Sequence, residues 1–376
     1  MGGIIMLNVF DVAKTLINHV GEAYPEDIAI IAYYGSYAQG TATKRSDLDF
    51  FFIPATSKGY NASIQFIIDD ISFDFWPISW ERAEKIAAFE ELNVSIIADC
   101  KLLYVRSEDD RDRFLKLRQK ITDMTNQGME LINKAESQLR NAYIHLYNMS
   151  RLGDSEDITP YRHEAQEILI DVLYSISLIN RTYFTKGWGK NTEQIWNFPL
   201  KPDNLKQLSE TITRSCSCAE IREACEQLTK DTLDLLLQQK ETYSDGPSYP
   251  DRMKGFYEEV KGVLDKVLTA CEMNDYNTAY FWAIGVQGEI SRFLYNAEKG
   301  HWPVSLDPSL DYQNVYKNLG FPDLIAILDS QNLSPLFEAV KRLDCLLENH
   351  LRNQGVRINR FRNTEQFNEF LKTFNK

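Results

Sequence analysis

The sequence lacks the features that mark several specialised classes of protein. Its six cysteines form no Cys-x-x-Cys pair and have no histidine at zinc-ligand spacing, so neither a zinc centre nor a disulfide framework is predicted. Scattered cysteines in a large chain are typical of a reduced, cytoplasmic protein. No apolar run approaches the roughly 18 residues of a membrane-spanning helix, and the first residues lack the basic flank and the long apolar core of a signal peptide.

Basic residues are also scarce. The chain holds 41 Lys and Arg against 54 Asp and Glu, which gives a formal net charge of −13. Non-specific binding of nucleic acid depends on Lys and Arg against phosphate, so this balance disfavours a nucleic-acid partner. A negative potential instead raises the local concentration of cationic partners.

The rest of the composition is that of an ordinary soluble globular protein, with 44% hydrophobic and 25% charged residues among 376. This length favours two or three domains. We predict an N-terminal catalytic domain over 1–106, a helical bundle domain over 107–245 and a second helical region over 250–376. The Gly- and Pro-containing segment Ser244–Pro250 is the expected internal boundary.

Hydrophobic periodicity gives these regions different secondary structure. In the first domain we predict strands at 28–34, 47–53, 64–68, 71–78 and 96–105, and helices at 8–20 and 80–91. Beyond it only helices are predicted, at 109–149, 160–186, 203–213, 218–242, 251–273, 276–298, 333–352 and 364–373. The fold class that follows is α+β, a small β-sheet with flanking helices followed by an all-α helical bundle region.

One stretch, from Tyr33 to Asp49, joins the first two predicted strands through a polar loop at 35–46. Near its start is Gly35-Ser36, whose backbone N–H groups and hydroxyl could bind phosphate oxygens. It closes on Asp47 and Asp49, which at i and i+2 on a strand would point to the same face and repel one another. Divalent metals are the usual reason to place two carboxylates together, although an ordinary turn capped by an Asp pair would leave the same pattern.

Asp74 is the natural choice for a third carboxylate. It lies in the largely apolar run 72–76, where an acid is costly to bury unless it is paired or binds a metal. If this strand lies beside strand 47–53, all three acids share one face; Asp69 or Asp70 could serve instead. Three carboxylates can hold two Mg²⁺ ions about 4 Å apart, an arrangement that supports nucleotidyl transfer from an NTP.

The residues Gly35-Ser36, Ala38, Gly40 and Ser46-Asp47-x-Asp49 together resemble the signature of the nucleotidyltransferase superfamily, which has the DNA polymerase beta-like fold. The spacing is most similar to that of the aminoglycoside and lincosamide nucleotidyltransferases. The resemblance implies a small mixed sheet with an appended helical bundle, and an enzyme that uses ATP or another NTP as donor with two Mg²⁺ ions.

The same resemblance implies roles for individual residues. Ser36 and the Gly35 backbone would contact the triphosphate, and Asp47, Asp49 and Asp74 would bind metal and be catalytic. Where these enzymes often carry an Arg in the loop, this chain has Gln39, so one cationic phosphate contact is missing from the pattern.

In the helical region the resemblance implies a Glu that acts as general base on the acceptor hydroxyl. Glu164 and Glu167 are the candidates, although acids favour the first turn of a helix for electrostatic reasons alone. Arg140 and His145 resemble the Arg-x4-His ribonuclease motif of HEPN domains, but residues five apart lie about 140° apart around a helix. Arg140 could instead reach the nucleotide phosphates.

These observations predict a cytoplasmic, Mg²⁺-dependent nucleotidyltransferase that transfers NMP, with AMP as first choice, to a hydroxyl of a small molecule and releases pyrophosphate. An aminoglycoside-type antibiotic fits both the resemblance and the acidic balance. Two alternatives stay open: a protein- or tRNA-modifying nucleotidyltransferase of toxin–antitoxin type, and an inactive nucleotide-binding protein on the same fold. No membrane or nucleic-acid partner is expected, and a homodimer is compatible with antibiotic enzymes that share sites between subunits.

Overall fold

The computed structural model describes residues 8–153, 157–243, 246–306 and 309–374, with side chains as far as residue 372. The chain divides into two compact units, Met1–Gln239 and Lys240–Lys376. The first unit contains a β-sheet and helices, whereas the described part of the second is helical. The predicted α+β class is therefore confirmed.

The sheet has five strands, which pair in the order β3-β4-β2-β1-β5. Central β1 pairs antiparallel with β2 and β5, and β3 pairs antiparallel with β4. Only β2 and β4 run parallel, so the sheet is mixed. The strands are β1 Ile28–Tyr33, β2 Phe50–Pro54, β3 Ile64–Ile68, β4 Ile71–Pro77 and β5 Lys101–Val105.

Apolar side chains fix this sheet from both faces. Residues 28–32 of β1 and 50–54 of β2 are buried throughout, as the near-continuous apolar runs in the sequence lead one to expect. On one face, Phe50 and Phe75 belong to a core cluster that also includes residues of the N-terminal helix α1, Val9–Ala23. Alternation along a strand therefore directs the residues next to these phenylalanines to the opposite face.

The parallel register determines which acids become neighbours. Phe50 of β2 is the partner of Phe75 of β4. Asp49 and Asp74 each precede one of these paired residues, so the two acids lie at matching positions on adjacent chain segments. The predicted condition, that strand 71–78 lies beside the second strand, is met, although the second strand begins only at Phe50.

After the last strand the first unit is helical, and its most extensive helix–helix packing is between α6 and α7. The hydrophobic residues Leu131, Leu139, Ile168 and Ile176 are fully buried along these two helices. The elements after α1 are α2 Gly35–Ala38, α3 Trp80–Ala87, α4 Ser95–Ala98, α5 Glu108–Met124, α6 Gly128–Arg151, α7 Ile158–Ile179, α8 Thr192–Trp196, α9 Leu205–Arg214 and α10 Cys218–Thr242.

The second unit has its own hydrophobic core, built around α12, α13 and α15. Helix α13 begins after Asp275, whose carboxylate accepts a hydrogen bond from the Thr278 N–H, and ends at Gly300 in the left-handed conformation. The elements are α11 Tyr249–Arg252, α12 Phe256–Glu272, α13 Tyr276–Lys299, α14 Asp311–Asn318, α15 Ser334–Asn353 and α16 Thr364–Phe374.

Several predicted boundaries differ from the structure. Strand β2 begins at Phe50, so Asp47 and Asp49 lie in the loop before it, and part of the predicted strand 96–105 is helical at Ser95–Ala98. The predicted helix 109–149 is two helices, because the chain turns at residues 125–127 between them. A second predicted helix, 251–273, begins only after Gly255, which has a φ of 81°.

No helix in the described parts of the chain is long and apolar enough to cross a membrane.

Candidate active site

The loop between β1 and β2 brings the Gly35 backbone against the Asp49 side chain. Gly35 has a φ of 69°, and a Cβ added there would lie 2.0 Å from Asp49 Oδ2. No other residue fits, because both the left-handed backbone and the close approach require the absence of a Cβ. Gly35, near the start of the stretch 33–49, and Asp49, at its end, are therefore packed against each other.

Backbone hydrogen bonds hold this loop in shape. The Tyr34 N–H donates to the Asp49 carbonyl at 2.8 Å, and the Thr41 N–H donates to the Ser36 carbonyl at 2.9 Å. The Ser36 N–H also hydrogen-bonds the Asp49 carboxylate, which lowers the pKa of Asp49. Ser36 is thus fixed beside the carboxylate, with its hydroxyl on the same short turn α2.

Opposing influences leave the acids with raised pKa values. Burial, and after it the charge of Asp47, raise the pKa of Asp49 to about 6 from the ordinary 3.8. Burial raises the pKa of Asp47 too, and the charge of Asp74 adds to the effect. Neither Asp47 nor Asp49 forms an ion pair with a Lys, Arg or His in the described parts of the chain. The pair is electrostatically uncompensated.

Asp74 lies nearby but is not buried. Its side chain is exposed and accepts a hydrogen bond from Gln65 Nε2 at 2.7 Å. The three acids nonetheless act on one group: burial first, then the charges of Asp49, Asp74 and Asp47, raise the pKa of Tyr34 to about 12, against a hydrogen bond with Trp76 that lowers it. The structure therefore brings all three predicted acids within electrostatic reach of the Tyr34 hydroxyl.

The chemistry of these acids suits a divalent cation. Carboxylate oxygens are ligands that Mg²⁺ prefers, and a cation between Asp47 and Asp49 would relieve the repulsion that raises the pKa of Asp49. Over the described ranges, no three His, Cys, Asp or Glu side chains are close enough together to form a preassembled metal site. Asp47 and Asp49 are consequently the residues that could hold a metal, with Asp74 beside them.

A cavity of about 420 Å³ opens over this loop. Gly35, Ser36 and Asp49 line one side, and the opposite side is formed by the segment after α7. From that segment the cavity is lined by Lys186, Trp188, Lys190 and Asn191. Two cationic side chains thus share a cavity with the predicted phosphate-binding turn, and both are suited to the charges of a triphosphate.

Sequence reasoning missed these two lysines. The segment 186–190 reads Lys-Gly-Trp-Gly-Lys, and its glycines were informative only as a break after helix α7. The signal that could have identified it is a pair of lysines flanking a Gly-rich break in an acidic chain. Gln39, in place of the family's Arg, donates from Nε2 to the Thr185 carbonyl and so ties the two loops together.

The helical candidates lie elsewhere. Glu164 Oε2 is 2.7 Å from His145 Nδ1 and accepts a hydrogen bond from Asn148 Nδ2 at 3.3 Å. Arg140 Nη2 lies 3.7 Å from Glu136. None of Glu164, Glu167 and Arg140 is among the described residues that line the cavity. The structure therefore does not bring them together with Ser36 and Asp49.

One buried acid in this helix pair has no counterpart in the sequence-based candidates. Asp171 is buried on α7, and its Oδ1 accepts a hydrogen bond from Gln138 Nε2 at 2.6 Å. Burial raises the pKa of Asp171 to about 6, although Gln138 and His145 lower it. It lies two turns beyond Glu164 on the same helix, and the apolar run around it concealed it.

Comparison with known proteins gives two family matches. Residues 13–126 match the model of the nucleotidyltransferase domain, and residues 111–242 match that of the KNTase C-terminal domain. No curated protein matches the sequence. A solved structure of a nucleotidyltransferase-like protein from Exiguobacterium sibiricum 255-15 covers 61% of this chain and 76% of its own, at 10% identity and a TM-score of 0.37. So slight a structural likeness carries no argument.

Proposed function

Since the chain belongs to the nucleotidyltransferase superfamily, we propose that it transfers NMP, and specifically AMP from ATP, to a hydroxyl of a small molecule and releases pyrophosphate. Transfer of a nucleotidyl group is the activity of the family; the donor base, the metal and the acceptor are the parts of the proposal that go further. The observation that supports a nucleoside triphosphate as donor is the cavity in which Ser36 and Asp49 face Lys186 and Lys190.

In this proposal the cavity binds the triphosphate. Lys186 and Lys190 neutralise its negative charge from one side, and the Ser36 hydroxyl and Gly35 backbone contact its oxygens from the other. Gln39 keeps the two sides together through its hydrogen bond to the Thr185 carbonyl. Binding of the triphosphate between two loops that are held together fixes the orientation of its α-phosphate. Positioning of this kind accounts for much of the rate acceleration in phosphoryl and nucleotidyl transfer.

We propose that Asp47, Asp49 and Asp74 hold two Mg²⁺ ions, which when bound would stabilise the charge that develops on attacking and leaving oxygens. The contribution of the chain is to fix the position of the Asp49 carboxylate beside the cavity. Asp49 is held by the Gly35 backbone and by the Ser36 N–H, so it cannot rotate away from the cavity.

Glu164 remains the proposed general base, on the strength of the resemblance alone. Its carboxylate is held against His145, so the role has a clear test. If Glu164 is the base, Glu164→Gln lowers kcat by about 10²-fold or more with little change in the KM for ATP. If Glu164→Gln lowers the free energy of unfolding and leaves kcat unchanged, the His145–Glu164 pair only joins α6 to α7.

The acceptor class rests on two observations. The helical part of the first unit matches the KNTase C-terminal domain, a kanamycin nucleotidyltransferase-like domain. The net charge of −13 also favours a cationic partner. An aminoglycoside-type antibiotic is therefore the first acceptor to test.

The experiment combines labelled ATP, Mg²⁺ and a panel of hydroxyl-bearing small molecules with the full chain. We expect labelled product and pyrophosphate with wild type and with Asp203→Asn, a change at an exposed acid, and neither with Asp47→Asn or Asp49→Asn. Calorimetric titration with Mg²⁺ gives a second readout, in which both site variants should bind more weakly. Equal behaviour of Asp49→Asn and wild type in both assays would refute the proposal.

A further inference from the structure

A second and larger cavity, of about 540 Å³, lies within the helical part of the first unit. Its walls come from α7, α8, α9 and the segment between α7 and α8. Most of the wall is apolar, with Leu169, Ile170, Leu173, Ile195, Trp196 and Ile212 among the lining residues. A cavity of this size and polarity is typical of sites for small organic molecules.

Two polar side chains in this wall are buried without a partner. Asn191 is 3% exposed, and its Nδ2 has no hydrogen-bond acceptor among the described residues. The hydroxyl of Ser209, which is 9% exposed, likewise has no partner there. Buried polar groups are nearly always hydrogen-bonded, so an unpaired amide and hydroxyl in a cavity wall are what a ligand with oxygen acceptors would satisfy.

The charges at this cavity do not suit a polycation. Arg162 and Arg214 both line it, against the single acid Glu210. Arg162 donates from Nη2 to the Ser215 carbonyl at 3.3 Å and forms no ion pair with an acid in the described parts of the chain. A ligand that is neutral or carries one negative charge meets these guanidinium groups favourably, whereas several ammonium groups would be repelled.

The two cavities share part of their walls. Trp188 and Asn191 line both the 420 Å³ cavity with Asp49 and the 540 Å³ cavity of the helices. A molecule in the helical cavity therefore lies on the other side of one short segment from the proposed triphosphate site. An acceptor in the helical cavity would therefore be a direct neighbour of the proposed donor site.

We propose that the helical cavity is the acceptor pocket, and that it takes a hydroxyl-bearing molecule with an apolar body, oxygen acceptors for Asn191 and Ser209, and either no charge or one negative charge. The inference rests on the proposed transfer function and narrows its acceptor class away from the polycationic aminoglycosides. It also assigns Trp188 and Asn191 as residues through which the two ligands affect each other.

The first test uses 1-anilinonaphthalene-8-sulfonate, an apolar fluorescent probe with one negative charge. We expect saturable binding that Ile170→Asp weakens by about tenfold or more, because the new carboxylate would be desolvated in an apolar wall. Ile68→Asp is the matched control, since Ile68 lines a separate apolar groove between α1 and β3. Equal loss in the two variants, or none in Ile170→Asp, would overturn the assignment of the site.

Arg214→Glu supplies a variant that leaves the core untouched, because Arg214 is exposed. It should weaken binding of the sulfonate by about fivefold and leave binding of the neutral probe N-phenyl-1-naphthylamine unchanged. If both probes are affected equally, the charge argument is wrong.

Coupling between the cavities is tested with a non-hydrolysable ATP analogue and Mg²⁺. In wild type the analogue should change the affinity of the neutral probe by about threefold or more, and Trp188→Ala should abolish that change. An unchanged probe affinity in wild type would overturn the shared wall as a functional feature.

The acceptor class is tested by displacement of the sulfonate probe. Neutral or acidic alcohols with apolar bodies should displace it and release pyrophosphate, and aminoglycosides should do neither. Displacement and labelling by aminoglycosides alone would overturn the inference. Asp49→Asn should lose transfer and keep displacement, so displacement without transfer in wild type would refute the transfer function and leave the ligand class of the pocket standing.

Discussion

The backbone of Gly35, at the start of the loop between β1 and β2, packs against the carboxylate of Asp49 at the end of that loop. Burial and the charge of Asp47 raise the pKa of Asp49, so they disfavour its ionised form. The position of the carboxylate is instead determined by the Gly35 backbone and the Ser36 N–H. Because position and ionisation depend on different neighbours, they can be perturbed separately by single substitutions.

Position is tested by Gly35→Ala. The added methyl would meet Asp49 Oδ2 at 2.0 Å and displace the carboxylate, so activity should fall by about 100-fold or more. Gly40→Ala is the matched control, since Gly40 has a φ of 71° with open space around its Cβ position. Left-handed backbone alone should lower the free energy of unfolding by about 1–2 kcal/mol in each. Similar activities in the two variants, measured by pyrophosphate release, would contradict the packing argument.

Ionisation is tested by the pH dependence of stability in metal-free protein. The pKa of Asp49 is about 6 in the folded chain and 3.8 ordinarily, so between these values the folded state retains a proton that the unfolded state releases. The free energy of unfolding should therefore fall as pH rises from about 4 to about 6. Asp49→Asn should show a smaller fall, because Asp47 and Asp171, whose pKa values burial also raises, contribute the remainder.

Denaturant titrations across that pH range provide the measurement. Asp203→Asn, at an exposed acid, should keep the profile of wild type. A profile of Asp49→Asn that is parallel to that of wild type would mean that the carboxyl is not perturbed by burial in the folded chain.

At the scale of elements, apolar runs predicted all five strands, although only β1 and β2 are buried along nearly their whole length. Strand β3 was predicted at its observed bounds, and the hinge after it, at Asp69 and Asp70, adopts positive φ values. Hydrophobic periodicity did not predict breaks and short helices that depend on local turns. The break before Gly128 depends on the hydrogen bonds of a few polar residues, and the short helix α8 has too few apolar positions to show a period.

The candidate site was predictable on the side formed by the sheet and not on the side formed by the helices. The Gly-Ser and Asp-x-Asp residues lie in one continuous stretch, so spacing alone reveals them. The lysines of the opposite wall lie well over a hundred residues further along the chain, and only tertiary packing brings them to the same cavity. Asp171 remained hidden for a related reason, because its partner Gln138 is on another helix.

The segment between α7 and α8 is the element whose contribution can be tested directly. Lys186→Ala and Lys190→Ala should each raise the KM for ATP by about tenfold, since each removes a charge-assisted phosphate contact of about 1.4 kcal/mol. Lys206→Ala, at an exposed lysine of α9, should leave KM unchanged. Steady-state kinetics at low and high salt provide the measurement, and screening should reduce the effects at high salt. An unchanged KM in both site variants would place the triphosphate elsewhere.

At the scale of the whole molecule, the second family match and the first compact unit end at nearly the same residue. The KNTase C-terminal domain match ends at residue 242 and the first unit ends at Gln239. The predicted boundaries near residues 106 and 245 stay predictions. The second unit has a separate core in which Leu264, Leu343 and Leu347 are fully buried, and that core contains no residue of the candidate site.

Two cores predict two thermal transitions in calorimetry. A non-hydrolysable ATP analogue with Mg²⁺ at about 100 times its Kd should stabilise the first unit by about 2.7 kcal/mol and raise one Tm by about 5–10 °C. Leu343→Ala should lower the other Tm without changing that shift, because it leaves a cavity in the second core. A single transition that moves as a whole would show that the two units unfold cooperatively.

The parallel pairing of β2 with β4 also has a consequence for when the protein acquires its site. The β3–β4 hairpin closes over a short turn, whereas Asp49 and Asp74 meet only after the more distant Phe50 and Phe75 have paired. A nascent chain that has emerged as far as β5 would carry the acids and still lack Lys186 and Lys190. Capture of nucleotide is therefore expected to be a late event of biosynthesis. During refolding, nucleotide binding should lag behind the formation of the sheet. Simultaneous appearance of nucleotide binding and sheet structure would argue against this order.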